Sequence, residues 1–200
     1  VTKPSPEPTH MQVGIYDFSW SGGTFNVEFR AQGIFWCKKF PCAASWTEQE
    51  GNVTVDWGKF GKYSLNLKPD GTLDGSVLGS SKPEDWRKAV FVRCFSPAEE
   101  LLSGSAWELG YEHGKPFRVE FHADGHFFCE SYPGHHTYEL NDTAIVINWG
   151  KYGTYDLTLD VAAKSATGNL RGNEASWRTL TFLESLPAYV KKAGGCGHAH

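Results

Sequence analysis

The stretch FNVEFRAQGIF at residues 25–35 returns as FRVEFHADGHF at residues 117–127, and WGKFG at 57–61 returns as WGKYG at 149–153. When the chain is shifted by 92 residues, positions 25–67 align with 117–159 without a gap, and sixteen of these 43 positions are identical. Further on, Trp86-Arg87 returns as Trp177-Arg178 after a slip of one residue. The sequence therefore predicts a tandem duplication, with the first copy at 13–97 and the second at 105–186.

Apolar and polar side chains alternate in both copies, which is typical of strands with one buried face. Phe25, Val27 and Phe29 alternate with polar residues, and positions 117–121 repeat the pattern. Short glycine-containing turns at 31–33, 58–61 and 69–71 separate the apolar segments. We predict an all-β fold of two tandem antiparallel meanders with roughly seven strands each, rolled into barrel-like repeats. Two barrels and one sheet completed by both copies fit the pattern equally well, and we favour two barrels.

Three segments lie outside the two copies. Residues 1–12 are predicted to form a flexible tail, because they contain three prolines and little to bury. This tail is either the mature end of a protein processed on an organelle or secretory route or an extension added ahead of Met11. Residues 98–104 are predicted to be a linker with one helical turn capped by Ser96, and residues 187–200 a second flexible tail.

Composition narrows the classes of partner. The formal net charge of −4 predicts no binding to nucleic acid. The longest apolar runs fall well short of the roughly 18 residues that a membrane span requires, so the chain is expected to be soluble. The five cysteines are odd in number, which argues against a fully paired disulfide framework. Cys37 and Cys42 could close a small loop, but buried free thiols are the favoured interpretation.

The order of elements resembles the calycin group of lipocalin-like barrels. It consists of an aromatic first strand, an antiparallel meander and a last strand carrying Arg beside an aromatic residue. The resemblance implies that an early Trp is covered by a late Arg at the closed end, which would pair Trp107 with Arg178. The first copy departs from this pattern, because the aligned position is Ile15, and it leaves Tyr16 or Trp20 for Arg87.

The repeated blocks have a structural and a functional interpretation. Trp86 with Arg87, and Trp177 with Arg178, are candidate ligand-binding residues, although packing with a cation–π contact is the favoured interpretation. The lysines of the repeated turn, Lys59 and Lys151, are candidate anion-binding groups at a barrel mouth, although a solvated role in a hairpin is favoured. Each of these blocks occurs once in each copy.

Histidine is concentrated in the second copy, which gives the repeats an asymmetry. His122 and His126 flank the turn that contains Asp124, and His135 and His136 follow in a loop that could fold over it. Imidazoles that converge on one point would form a Zn²⁺ or Cu²⁺ site, with Asp124 as a further ligand. The alternative is a solvent-facing set of histidines without a metal.

These features favour a non-catalytic binding or interaction module, either docked to a protein assembly or holding a small apolar ligand. Docking is preferred, because a small barrel packed with rings has little room for a ligand, and a cavity of several hundred Å³ would reverse that preference. One alternative is a metal-dependent hydratase, lyase or oxygenase with its site in the second copy. Another is a carrier of a chromophore or haem. No catalytic motif is present to decide among them.

Overall fold

The computed structural model describes residues 10–186, which form two closed, eight-stranded antiparallel barrels in tandem. The strands of the first barrel are β1 (Gly14–Trp20), β2 (Gly23–Arg30), β3 (Ile34–Trp36), β4 (Ala44–Gln49), β5 (Asn52–Asp56), β6 (Lys62–Leu67), β7 (Leu73–Val77) and β8 (Trp86–Arg93). The strands of the second are β9 (Ser105–Tyr111), β10 (Phe117–Phe121), β11 (His126–Phe128), β12 (His136–Asn141), β13 (Ala144–Asn148), β14 (Thr154–Asp160), β15 (Ser165–Leu170) and β16 (Asn173–Ser185).

The predicted all-β fold with two barrel-like repeats is confirmed, and the alternative of one joint sheet is wrong. Each strand pairs with its sequence neighbours, and β1 with β8, or β9 with β16, closes the barrel. The number of strands is eight per copy rather than roughly seven. The short strands β3 and β11 have three residues each, which is too few to display a period of two.

The repeated turns have the predicted form. In the first barrel the Trp57 amide donates to the Gly61 carbonyl at 2.9 Å, and Trp149 and Gly153 make the same bond in the second. Gly61 has a φ of 101° and Gly153 a φ of 100°, a backbone conformation that favours glycine. Identical turn chemistry therefore connects β5 to β6 and β13 to β14.

Each barrel is filled by its own side chains. In the first core, Trp57 makes ring contacts with Phe35 at 4.8 Å and with Phe18 at 5.9 Å between centroids. In the second, Trp149 contacts Phe127 at 4.9 Å. The other large members of these cores are Tyr16, Val27, Phe29, Val53, Val55, Tyr63, Leu65 and Leu73 in the first barrel and Trp107, Leu109, Val119, Phe121, Ile145, Ile147, Tyr155, Leu157 and Leu159 in the second.

Consecutive turns of a meander lie at alternate ends of the barrel. We call the end that carries the turns after β1, β3, β5 and β7, and after the corresponding strands of the second copy, the Trp–Arg end, because Trp86-Arg87 and Trp177-Arg178 lie there. At the opposite end of the first barrel, Met11 is buried and its amide donates to the Glu48 carboxylate. At the opposite end of the second, Ala98 and Leu102 of the helical turn enter the core.

That helical turn, α1 (Pro97–Leu102), forms as the sequence predicts. The Ser96 side chain accepts from the Glu99 amide, and the Glu99 side chain accepts from the Ser96 amide, which completes a capping box. The compact units divide between Cys94 and Phe95, so α1 belongs with the second barrel.

The predicted tails at 1–12 and 187–200 fall outside the described residues, apart from positions 10–12. Over residues 10–186 the chain has no helix with the length and apolarity that a membrane crossing requires.

Candidate functional site

Arg87 lies at the Trp–Arg end of the first barrel with its guanidinium among aromatic rings. It is the second residue of β8, and its side chain points inward, so that the residue is 9% exposed. Its Cζ lies 4.9 Å from the centroid of Tyr63 and 5.6 Å from that of Trp20. Its Nη1 donates to the carbonyl of Trp86 at 2.8 Å. The guanidinium is thus held in place mainly by cation–π contacts.

Arg178 occupies the corresponding position in the second barrel. Its Cζ lies 4.6 Å from the Tyr155 centroid and 5.6 Å from that of Tyr111, and its Nη2 donates to the Tyr155 hydroxyl at 3.0 Å. In addition, its Nη1 donates to Glu112 Oε2 at 2.6 Å, and the other carboxylate oxygen of Glu112 accepts from the Ser176 hydroxyl at 2.7 Å. Arg178 is therefore bonded to a carboxylate of its own barrel, that of Glu112.

The environment of Glu112 favours its ionised form. The hydrogen bond from Ser176 lowers the pKa of Glu112 most, followed by a bond from its own backbone and by the charge of Arg178. The side chains of Arg178 and Glu112 are 13% and 16% exposed, so the pair is mostly screened from water.

The strand register corrects the predicted alignment of the first strands. Tyr16 lies opposite Val27, and Trp107 lies opposite Val119, the repeat counterpart of Val27. The structural counterpart of Trp107 is therefore Tyr16 rather than Ile15. By the same shift, Trp20 corresponds to Tyr111, and both lie under the arginine of their barrel.

Trp107 does not lie beneath Arg178. It is fully buried, contacts Phe182 at 5.5 Å, and donates from its indole to the Ser105 hydroxyl at 2.6 Å. Arg178 pairs with Tyr111, four residues further along β9, or roughly 13 Å at the rise of a strand. The guanidinium consequently covers Tyr111 rather than Trp107.

Trp86 and Trp177 are exposed beside these arginines. Successive residues of a strand point to opposite faces, so each Trp faces outward while the following Arg faces inward. Trp86 is 41% exposed and Trp177 is 44% exposed. The predicted cation–π contacts of both arginines are present, but the rings belong to other strands and not to the preceding Trp.

The lysines of the repeated turn lie over the aromatic residue that follows them. Lys59 Nζ is 5.1 Å from the Phe60 centroid, and Lys151 Nζ is 5.1 Å from that of Tyr152. Both rings are partly exposed at the Trp–Arg end. These lysines thus add positive charge to an aromatic surface.

The four candidate histidines do not converge on one point. His126 and His135 have ring centroids 4.8 Å apart, whereas His122 Nε2 lies 2.9 Å from a Glu120 carboxylate oxygen. His136 is 5% exposed, and its Nε2 lies 3.1 Å from the Tyr132 carbonyl. Within residues 10–186, no group of three or more His, Cys, Asp or Glu side chains is arranged to hold a metal ion. The Zn²⁺ or Cu²⁺ site stays a prediction that rests on one imidazole pair.

The environment of His126 is set by Asp124 and by burial. Asp124 Oδ1 accepts from the backbone amide of His126 at 3.0 Å. Burial lowers the pKa of His126, and the negative charge of Asp124 only partly opposes that shift.

The described cysteines include three free thiols. Cys37 and Cys129 are buried and Cys94 is exposed. The loop closure between Cys37 and Cys42 is therefore not formed, and burial raises the pKa of both Cys37 and Cys129.

A surface depression of about 580 Å³ lies at the opposite end of the first barrel. It is lined by Val13, by the β2–β3 turn at 31–33 and by residues 46–48, and it is wide open to solvent. It therefore differs from the enclosed barrel cavity of a lipocalin-like carrier, and the interior of that barrel is occupied by side chains.

Sequence reasoning identified both arginines but missed the residues that hold them. Tyr63 and Tyr155 were detectable, because they are identical at matching positions in the two copies. Glu112 carried no such signal, because it lies in the β9–β10 turn, where the copies differ in length. No family model matches this chain, and no curated protein or solved structure matches it.

Proposed function

We propose that this chain is a non-catalytic docking module that binds a partner protein at the Trp–Arg ends of its barrels. The observation that supports this proposal is the exposed Trp beside an aromatic-held Arg, built twice at equivalent positions, Trp86-Arg87 and Trp177-Arg178. Tryptophan, tyrosine and arginine are the residue types that most often dominate binding energy at protein interfaces.

The filled interiors favour a protein partner over a small apolar ligand. Eight-stranded barrels are just wide enough for side chains to fill or to hold one small ligand. Here Phe18, Phe35 and Trp57 meet at the centre of the first barrel, and Phe121, Phe127 and Trp149 fill the second. A ligand would have to displace these rings, which makes the calycin-like carrier a weaker proposal.

The test uses purified chain immobilised as bait in an extract of the source cells. The Trp86→Ala, Trp177→Ala double variant is compared with a Val92→Ala, Leu183→Ala control, which trims two exposed side chains elsewhere. A partner recovered by the wild type is then purified, and its dissociation constant is measured for both variants. We expect the double variant to bind about tenfold or more weakly and the control to match the wild type.

A partner that binds the double variant with unchanged affinity would contradict this proposal. The metal-dependent enzyme and the chromophore carrier stay predictions with tests of their own. Metal analysis of chain purified without an affinity column tests the first, and a visible absorption band in the native protein tests the second.

A further inference from the structure

We propose that Arg87 at the Trp–Arg end of the first barrel binds a carboxylate side chain of an acidic segment in the partner protein. This inference rests on the proposed docking function and names the chemistry of the partner. It comes from a difference between two otherwise equivalent arginines.

Arg87 has no carboxylate partner within residues 10–186. The residue is 9% exposed, and its side chain donates a hydrogen bond to a backbone carbonyl, that of Trp86. The nearest acidic residue in sequence, Asp85, accepts instead from the Ser80 hydroxyl. A guanidinium is always charged at neutral pH, and a charge removed from water is costly unless an opposite charge compensates it.

The second barrel shows what compensates an arginine at this position. There the Glu112 carboxylate bonds to Arg178 at 2.6 Å and is fixed by Ser176. Glu112 directly follows Tyr111, whereas Ser21 follows its counterpart Trp20 in the first barrel. Among residues 10–186, the first barrel thus has the arginine and its aromatic rings, but no carboxylate bonded to that arginine.

Neighbouring charges at the same end of the first barrel also favour an anion. Lys39 Nζ lies 5.6 Å from the Phe40 centroid. The Phe40 ring lies 5.6 Å from the Phe60 ring, over which Lys59 Nζ lies in turn. In the gapless alignment, Lys38 and Lys39 correspond to Glu130 and Ser131 of the second barrel. At these two aligned positions, the first barrel is therefore the more positive of the two.

An acidic protein segment fits this surface better than nucleic acid does. The group that binds the equivalent arginine in the second barrel is a carboxylate, that of Glu112. Trp86, which precedes Arg87, and Leu78, which follows β7, are exposed at the same end of the barrel and offer apolar contacts. The expected segment therefore carries Glu or Asp beside a large apolar side chain.

The test is an NMR titration of the ¹⁵N-labelled full chain. The probe is the pentapeptide acetyl-Glu-Glu-Leu-Glu-Glu-amide, and its control has Gln at the four Glu positions. We expect the acidic peptide to shift the Arg87 Nε–Hε signal and the Trp86 and Trp20 indole signals in a saturable way. The Arg178 signal should not move, and the Gln peptide should shift none of them.

Two reciprocal variants sharpen the result. Ser21→Glu supplies a carboxylate beside Trp20 and should weaken binding of the acidic peptide by about tenfold or more. Glu112→Ser removes the internal acid and should make the Arg178 signal respond to the peptide. Arg87→Gln should abolish the response of the first barrel, with a dispersed spectrum as the check on folding.

The outcomes separate this inference from the docking proposal. Shifts equal for both peptides, shifts at Arg178 in the wild type, or full binding by Arg87→Gln would overturn the carboxylate site. Saturable shifts with oligothymidylate and none with the acidic peptide would assign the site to nucleic acid and overturn it as well. A purified partner that needs Trp86 and Trp177 but binds Arg87→Gln normally would leave the docking function standing without this site.

Discussion

Two arginines at equivalent positions illustrate how one residue type acquires different chemistry from its neighbours. Arg87 and Arg178 both stack on a tyrosine of the sixth strand of their barrel. Only Arg178 is bonded to a carboxylate within residues 10–186, that of Glu112. The repeat identified both arginines from the sequence. The acid could not be predicted, because a contact across strands depends on register, and a turn that differs between copies obscures it.

The Glu112–Arg178 pair predicts an acid-dependent loss of stability in the second barrel. Because the pKa of Glu112 is lowered on folding, its contribution is fully present above its unfolded pKa, about 4.3, and is lost as the pH falls through the lower folded value. We expect Glu112→Gln to melt at a lower temperature than the wild type at pH 7. The difference should shrink towards zero well below pH 4.

Calorimetry of both proteins across this pH range provides the measurement. Asp156, whose pKa is also lowered, mainly by its hydrogen bond with Arg171, adds an acid dependence that is common to both proteins and cancels in the comparison. The charge of His113 also lowers the pKa of Glu112, but by less than the other groups do. A constant difference between the two proteins from pH 7 to pH 2 would contradict the assignment.

Cysteine reactivity provides a second test at the scale of single residues. Cys37 and Cys129 are buried and have raised pKa values, so little of either side chain is present as the reactive thiolate. A reagent can reach these two sulfur atoms only when the barrel opens. Cys94 is exposed. We expect iodoacetamide to modify Cys94 quickly in native protein and Cys37 and Cys129 slowly, as followed by peptide mass spectrometry.

Urea supplies the control for this labelling. In denaturant the three thiols should react at similar rates, because their differences come from the fold. Rapid native modification of Cys129 would show that the second barrel opens readily near β11.

At the scale of strands and turns, alternation and glycine placement were enough to predict most elements. The turns at 31–33 and 58–61 form where the sequence places glycines, and the Ser96 cap starts α1. The first strand was misaligned by one residue, because four residues separate Trp20 from Phe25 whereas five separate their counterparts Tyr111 and Phe117. A gapless comparison cannot extend through such a difference.

A matched pair of glycines shows a packing constraint that the alignment did not identify. A Cβ added to Gly75 would lie 1.9 Å from the Ser64 carbonyl oxygen, and one added to Gly168 would lie 2.0 Å from that of Asp156. Both glycines lie on the seventh strand of their barrel, where it pairs closely with the sixth strand. Neither backbone oxygen can move without breaking the strand ladder.

We therefore expect Gly75→Ala and Gly168→Ala to destabilise their barrels by about 1–3 kcal/mol or more, because the added methyl group overpacks a backbone contact. Thr167→Ala, an exposed neighbour on the same strand as Gly168, serves as the control and should have little effect. Urea unfolding followed by tryptophan fluorescence measures the differences. Equal stability of Gly168→Ala and Thr167→Ala would show that the strands can separate to admit a methyl group.

At the scale of the whole molecule, closure divides the chain into two separately filled barrels. Every strand of β1–β8 pairs within the first barrel and every strand of β9–β16 within the second. The two buried clusters share no residue. The sequence predicted this duplication. It could not predict which end of each barrel remains available for a partner, since that depends on how Met11 and α1 cover the opposite ends.

Separate cores predict that damage to one barrel stays within it. Trp57 and Trp149 occupy equivalent core positions and contact five or more other rings in their respective barrels. Trp57→Ala and Trp149→Ala should each cost about 3–5 kcal/mol, because a large buried ring is lost and a cavity remains. Since no core residue is shared, that cost should appear in the barrel that carries the substitution.

Hydrogen exchange of the full chain, resolved by peptide, measures this prediction. Trp57→Ala should accelerate exchange in β5 and β6 and leave β13 and β14 at the wild-type rate, and Trp149→Ala should do the reverse. When both substitutions are present in one chain, the acceleration of exchange should equal the sum of the two single effects, as expected for independent sites. Acceleration in both barrels by either single variant would mean that they unfold as one unit, and the Trp–Arg ends could then no longer be treated as two separate docking sites.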